Sequence, residues 1–412
     1  MQDILECCMG FDIHRDTIVA CLLRGPVDAK PECEIRTFGT LAPEMEKLRE
    51  WVVSSGCRTI AMESTGIYWQ PVYELLESCF DSEIQLMVVN ARHMKNVPGK
   101  KTDMRDAEWI ATLLRAGLLR GSFIPDKAFR ELRHFTRYRK KVISDITCQK
   151  NRIDKFLQSS GFRISMFLSD IFGASGRNIM RHLIAHGQID RVGIEQCVKA
   201  KARNRMDDIL ISVNGNLSLH QREFLSMMLE YLEQIERHKK LVEESIDAEI
   251  EKHSEALSLL CSIPDIDVTS ASAIIAEIGT DLSAFPSAEH ICSWAGLAPG
   301  NNESAGKRKS ARIGKGNNYL KSMLCEIAWV ICGKRSLYLS SWYWRIKQCK
   351  GAKRAAVALA RKLLSIIYTM FKTGQPYDED CFEQRRKQCE QKRTSRMISE
   401  LAKLGYQIEP TA

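Results

Sequence analysis

LECCMGFDIHRDTIVACLL, residues 5–23, holds two apolar runs rich in β-formers on either side of a short polar break. Two such runs so close together predict a β-hairpin. Side chains alternate along a strand, so the adjacent Cys7 and Cys8 should point to opposite faces, and Asp12 comes at the end of the first strand. Outward from there, CEIRTFGTL reads as a third strand, and APEMEKLREWVVSSG has helical period and ends at Gly56. RTIAMEST is a short buried strand that places Glu63 at its end. YWQPVYELLESC is a helix, EIQLMVVNA another strand, and an apolar helix pattern follows from PGKKTDMRDAEWIATLL, residues 98–114.

The predicted order is β-β-β-α-β-α-β-α, a strand-rich start followed by parallel crossovers. That is the order of the ribonuclease H and Holliday-junction resolvase class of α/β folds. Beyond it the chain is helical. FRELRHFTRYRKKVISDITCQKNRIDKFLQSSG lies in one long helical stretch, residues 127–162, and a second runs over residues 218–261. In the second, Leu225, Leu229, Leu232, Ile235 and Leu241 form a helix-packing seam with charged flanks. The pair reads as antiparallel helices, either a coiled-coil arm for self-association or a simple bridge. The insert between them offers no recognisable chemistry.

A chain of 412 residues exceeds one ordinary core, so two or three domains are expected. No apolar run reaches the roughly 18 residues of a membrane span. The N-terminus is acidic where a signal peptide would be basic, which points to the cytosol. The 15 cysteines contain no C-x-x-C pair, so reduced thiols are expected rather than a zinc ribbon or a thioredoxin motif. The net charge is +9, but residues 301–373 alone carry +14, with Glu303 and Glu326 their only acids. A polarised basic block of this kind suits a polyanion partner, although charge runs also serve simply as solvated faces.

Asp103 and Asp106 are three apart at a helix start and share one face. In isolation they read first as first-turn acids complementing the helix dipole behind a Thr102 cap. Asp12 and Glu63 at strand ends change that balance. Four clustered carboxylates raise one another's pKa, and a hard divalent cation, Mg²⁺ or Mn²⁺, relieves the repulsion. Such a metal polarises phosphoryl oxygens for in-line displacement. Lys100 and Lys101, just before these acids, are candidate nucleic-acid contacts.

GLAPGNNESAGKRKSARIGKGNN, residues 296–318, is a glycine-spaced, lysine-rich loop between helices. Lys307, Arg308, Lys309, Arg312 and Lys315 can surround a phosphate. Ser304 and Ser310 are among its hydroxyls, and on the residues alone the loop reads as phosphate-binding or nucleophilic. No histidine is near in sequence to act as base, which fits a composite site in which the carboxylate domain of the same or a neighbouring subunit meets the loop. Further on, Tyr338, Trp342, Tyr343 and Trp344 stand beside Arg345 and Lys347. Interleaved aromatic and basic residues can stack on bases, or can equally form a core edge with snorkelling cations.

GFDIHRDTIVACL, AMESTGIYW, VNARHMKNVPGKKTDMRDAEWIATLLRAGLL and IPDIDVTSASAIIAEIG with WAGLAPGNNESAGKRKSARIGKGNNYLK together resemble the IS110/IS1111 family of insertion-sequence transposases. The resemblance implies a RuvC-like DEDD domain at residues 1–125 and a helical, coiled-coil oligomerisation region at 126–260. It further implies a mainly helical transposase domain at 261–375 and leaves a charged tail at 376–412. Asp12, Glu63, Asp103 and Asp106 match the four acids, with Mg²⁺ as the implied metal and Mn²⁺ as a substitute. Ser304 matches the nucleophilic serine, with Ser310 the runner-up. Members of the family are guided by a structured bridge RNA and recombine donor and target DNA as tetramers, which implies a prokaryotic, nucleoid-associated protein. Two departures stand out: Ala305 replaces a glycine after the serine, and Asp265 and Asp267 fall where a P-G-I-G hairpin is common. The expected function is RNA-guided DNA recombination through a phosphoserine linkage. Its rivals are a metal-dependent resolvase-like nuclease using water and a non-catalytic nucleic-acid-binding scaffold.

Overall fold

The computed structural model describes residues 3–63, 66–79, 84–90, 106–300, 302–304, 307–310 and 312–403. They fall into two compact units, Met1–Ile124 and Pro125–Ala412. The first is built on a five-stranded sheet of β1 (Cys7–Ile13), β2 (Thr17–Arg24), β3 (Glu32–Gly39), β4 (Thr59–Glu63) and β5 (Gln85–Val89). Their order across the sheet is β3-β2-β1-β4-β5. The β1–β2 and β2–β3 pairs are antiparallel, whereas β1–β4 and β4–β5 are parallel.

Alternation assigns each strand residue to one of two cores. Met9, Phe11, Ile13, Ile18, Ala20, Leu22, Ile60 and Met62 face one side. There they pack on Leu48, Trp51 and Val52 of α1 (Ala42–Ser55) and on Val72 and Leu76 of α2 (Trp69–Cys79). Helix α1 carries Pro43 in its first turn and stops at Gly56, whose φ of 67° is a left-handed conformation that glycine adopts freely. Cys8, Cys21, Leu23, Ala61 and Val89 face the other side, against Ala107, Ile110, Ala111 and Leu114 of α3 (Asp106–Arg115). Cys7 and Cys8 therefore do join opposite cores.

Gly10 sets how closely α3 approaches the sheet. A Cβ built there would lie 2.3 Å from the Ala111 nitrogen and 2.4 Å from the Ala107 oxygen. The helix backbone thus rests directly on the β1 backbone. At the other end of the helix, the buried Arg115 guanidinium binds the Asp3 carboxylate at 2.6 Å and donates to the carbonyls of Glu6, Gly25 and Pro26.

The second unit is helical apart from one small hairpin. Helices α4 (Lys127–Ser159) and α8 (Leu219–Ile250) run antiparallel: Tyr138 meets His238, Gln149 meets the Met228 carbonyl, and Phe156 meets Phe224. Leu225, Leu229 and Leu232 are buried in their seam, each contributing about 2 kcal/mol relative to exposure. Ile235 is partly buried, but Leu241 is exposed, and Val242, Ile246 and Ile250 take over. The apolar stripe follows the helical period, and Leu241 falls off it by one residue.

The insert between these helices folds as α5 (Ala174–His186), α6 (Arg191–Cys197) and α7 (Met206–Ser212). It shares a core with them through Phe162, Ile179, Leu183 and Ile194. Then come α9 (Ser254–Cys261), α10 (Val268–Ile278) and α11 (Ala288–Trp294). The antiparallel strands β6 (Asn302–Ser304) and β7 (Lys307–Ser310) follow. Last are α12 (Asn318–Gly333), α13 (Tyr338–Lys350), α14 (Ala352–Thr373) and α15 (Glu379–Lys403). Among the described residues, no helix is long and apolar enough to cross a membrane.

Candidate active site

Asp12 is the penultimate residue of β1 and Glu63 the last of β4, its parallel neighbour, where Phe11 pairs with Met62. Alternation puts Asp12 on the face of Gly10 and Glu63 on the face of Ala61, which is the α3 face. Asp106 opens α3, one residue before the Ala107 carbonyl that rests on Gly10. Burial pushes the Asp12 carboxyl above its ordinary range; His14 opposes this, while the negative charges of Asp106 and Glu63 add to it. Asp12 is thus within electrostatic reach of both other acids.

Among the described residues, no three His, Cys, Asp or Glu side chains are gathered closely enough to hold a metal ion. Asp103, with Lys100 and Lys101, lies outside the described residues. The donor chemistry of Asp12, Glu63 and Asp106 nevertheless suits a hard cation, since all are oxygen ligands whose mutual repulsion a cation offsets. Sequence reasoning passed over His14, whose Nε2 is 3.1 Å from Asp12 Oδ2. Its signal was its position two residues after Asp12, at the strand end.

In the second unit, the lysine-rich stretch that read as a loop between helices contains a hairpin. Ser304 pairs with Lys307 at its tip, Glu303 with Arg308, and Ser310 with Asn302 at its base, with a register shift between Asn302 and Glu303. The base is closed by a bridge between Pro299 and Ile313 and by Gly300 N–H donating to the Arg312 carbonyl at 2.9 Å. Below it, a Cβ on Gly316 would come 2.3 Å from the Gly296 nitrogen, so two backbones touch there. Lys315 and Arg312 are exposed on this stem. Lys309 lies in β7 between Arg308 and Ser310.

The chain leaving the hairpin is capped by Asn317, whose side-chain oxygen accepts from the Tyr319 and Leu320 N–H groups at 3.0 and 3.1 Å. Its amide donates to Glu277 Oε2 at 2.6 Å. Glu277 is buried on α10 and receives Arg137 Nε and Nη2 at 2.7 and 2.8 Å, with Arg133 Nε at 3.3 Å. Burial pushes the Glu277 carboxyl up, but the bonds from Arg137, the charge of Arg133 and the Asn317 amide outweigh it and hold the pKa below the usual range. Arg137 also stacks on the Tyr319 ring at 4.5 Å. A lone acid within SASAIIAEIG was the sequence signal for this hub.

Asp265 takes a φ of 65°, the left-handed conformation that a glycine would adopt without strain. One of its oxygens pairs with Lys334, and the other is buried without a hydrogen-bond partner among the described residues. Asp267 caps α10, accepting from Ser270 N–H at 2.8 Å.

The aromatic cluster holds cations against its rings. Tyr343 is buried, and Trp344 Nε1 donates to the Cys332 carbonyl at 3.1 Å. Lys347 lies 3.9 Å from the Trp344 ring centre, and Lys362 covers Tyr338 and Trp342. Arg345 remains exposed.

Residues 9–161 match a family model described as "Transposase", that of the DEDD transposase of IS110. Residues 257–344 match "Transposase IS116/IS110/IS902 family". The chain is 34% identical over 129 residues to a pilin gene-inverting protein of Moraxella bovis, covering 31% of this chain and 40% of that protein. It therefore spans about two fifths of that relative's length. It is 24% identical over 310 residues to an uncharacterized 43.6 kDa protein of insertion element IS110 from Streptomyces coelicolor, covering 68% of this chain and 73% of the other. A putative transposase of Sinorhizobium fredii is 24% identical over 279 residues, covering 66% and 58%.

Proposed function

Because this chain belongs to the IS110 family of transposases, we propose that it is a DNA recombinase that cuts and rejoins donor and target DNA through a phosphoserine intermediate. The observation that carries this is the pairing of chemistries along one chain: acids at neighbouring strand ends in the first unit and a cationic serine hairpin in the second. The first unit is read as a RuvC-like DEDD domain, residues 126–260 as a coiled-coil oligomerisation region, and residues 261–375 as the transposase domain. A structured bridge RNA is the proposed guide and a tetramer the proposed assembly.

Asp12, Glu63, Asp106 and Asp103 are the residues that would hold Mg²⁺ or Mn²⁺, which when bound supplies charge to a phosphoryl oxygen. Ser304 is the proposed nucleophile. Its hydroxyl oxygen bonds to a backbone phosphorus as the phosphorus–deoxyribose oxygen bond breaks, and its proton passes to an acceptor while the leaving oxygen gains one. Phosphodiester is exchanged for phosphodiester, so the same step reversed on a second DNA end reseals the strand without water. Lys307, Arg308, Lys309, Arg312 and Lys315 supply positive charge where the pentacoordinate phosphate accumulates negative charge. Lys100, Lys101, Arg345 and Lys347 are proposed as further contacts to the nucleic-acid backbone.

The test is a denaturing gel of labelled DNA with cognate RNA and both DNA partners. Wild type should give a covalent protein–DNA species, Ser310→Ala should retain it, and Ser304→Ala should lose it while still assembling. Cutting by wild type without any adduct would favour the hydrolytic nuclease.

A further inference from the structure

Between the two segments that match the family lies the insert, with eight Lys/Arg and five acids over residues 163–217. Several of its cations are spoken for. Arg177 and Arg181 bind Glu236 and Glu233 of α8 at 2.7 Å, and Arg191 binds Asp207 at 3.0 Å. One segment, VKAKARNRM, gathers four alternating cations: Lys199, Lys201, Arg203 and Arg205.

This segment is a 3₁₀ helix, Ala200–Arg205, anchored rather than loose. Lys199 N–H donates to Ser175 Oγ at 3.0 Å, the Asn178 amide donates to the Cys197 carbonyl at 3.3 Å, and Ala202 packs against the insert's core. Lys199, Arg203 and Arg205 are exposed, and among the described residues none of the three joins an ion pair. Four like charges this close repel one another, and only Asp207 and Asp208 follow them, the first already engaged with Arg191. A 3₁₀ helix turns about 120° and rises about 2 Å per residue, so cations at every second position spread around its axis over about 12 Å rather than lining one face. One strand of duplex carries a phosphate per about 3.4 Å of axis, so a strand passing along one side of the segment meets about two of these charges.

We propose that residues 199–205 are a second contact for a nucleic-acid phosphate backbone, distinct from the basic block of residues 301–373. It rests on reading the chain as a nucleic-acid recombinase, and it places a polyanion site in the part of the chain that neither family segment covers. Phosphodiester is the shared chemistry, whether from guide RNA or from DNA.

The experiment compares full-length wild type with a variant carrying Lys199→Gln, Lys201→Gln, Arg203→Gln and Arg205→Gln. Fluorescence anisotropy follows a hairpin RNA and a DNA duplex of unrelated sequence across a salt series. The variant should bind at least one probe about tenfold more weakly at low salt, with the log–log salt slope shallower by about 2. A change on the RNA alone assigns the guide, a change on the duplex alone assigns DNA, and a change on both assigns a shared path. Should the fourfold variant melt early, Lys199→Gln with Arg205→Gln should show about half the slope change. Unchanged slope and affinity on both probes in a folded variant would overturn the proposal. Binding is read without chemistry, so absence of the serine adduct in wild type would remove the recombinase mechanism and leave this result separately legible.

Discussion

Asn317 and Glu277 are joined, amide to carboxylate, by a 2.6 Å hydrogen bond that ties the exit of the serine hairpin to a buried acid. The same Asn317 caps α12 through its oxygen, so its two roles can be separated. Asn317→Ser keeps an acceptor for the cap but is too short to reach Glu277. We expect it to melt within a few degrees of wild type and to form the serine adduct at least tenfold more slowly, a barrier increase of about 1.4 kcal/mol. Equal adduct rates in the two proteins would reduce Asn317 to a helix cap.

Glu277 should govern acid stability of the second unit. Its folded pKa lies below the usual carboxylate range, so its contribution is fully present above the unfolded value of about 4.3 and is lost as pH falls through the folded value. Glu277→Gln leaves Arg133 and Arg137 short of a counter-charge and should destabilise by about 3–5 kcal/mol near neutral pH. The gap between variant and wild type should narrow on acidification. A gap that stays constant down to pH of about 2 would show that the carboxylate charge is not the stabilising element.

Gly10→Ala tests the approach of α3. The added methyl meets helix backbone on two sides, so the helix must move. Overpacking of this kind costs about 1–3 kcal/mol or more. Chemical denaturation should show that loss, and DNA cleavage should fall because Asp106 is carried away from Asp12. A variant with wild-type stability and cleavage would mean the helix shifts without consequence for the acids.

Asp12→Asn, Glu63→Gln, Asp103→Asn and Asp106→Asn should each abolish cleavage and leave the fold intact. Mg²⁺ should raise the Tm of wild type and raise that of each variant much less, since a cation bound only by the native state stabilises it. Equal metal stabilisation across the set would separate the acids from metal binding.

Much of the first unit was legible because strand alternation and helical period are local signals. Residues 5–23 alone predict the hairpin, and Gly56 announces its helix end. What stayed hidden depends on partners distant in the chain. Gly10 reads as an ordinary strand glycine until α3 lies on it, and Glu277 reads as a misplaced acid until Arg133, Arg137 and Asn317 converge. Leu241 looked like the next seam residue because short spacings do not reveal cumulative drift around a helix. The strands of the serine hairpin were masked by glycine and lysine content, which signals loops more strongly than it signals short ladders.

The contact between Gly10 and the α3 backbone also bears on the order of events during folding. Helix α3 has no surface to rest on until β1 is seated between β2 and β4, and its partners on the sheet lie almost the full length of the unit away in sequence. Contacts of such separation form late and slow the approach to the native state. Mutual repulsion of Asp12, Glu63 and Asp106 is then felt at the closing step, after most of the apolar surface is buried. Interactions made after the transition state act on the unfolding rate. A divalent cation bound at these acids should therefore lengthen the lifetime of the folded unit more than it hastens its formation.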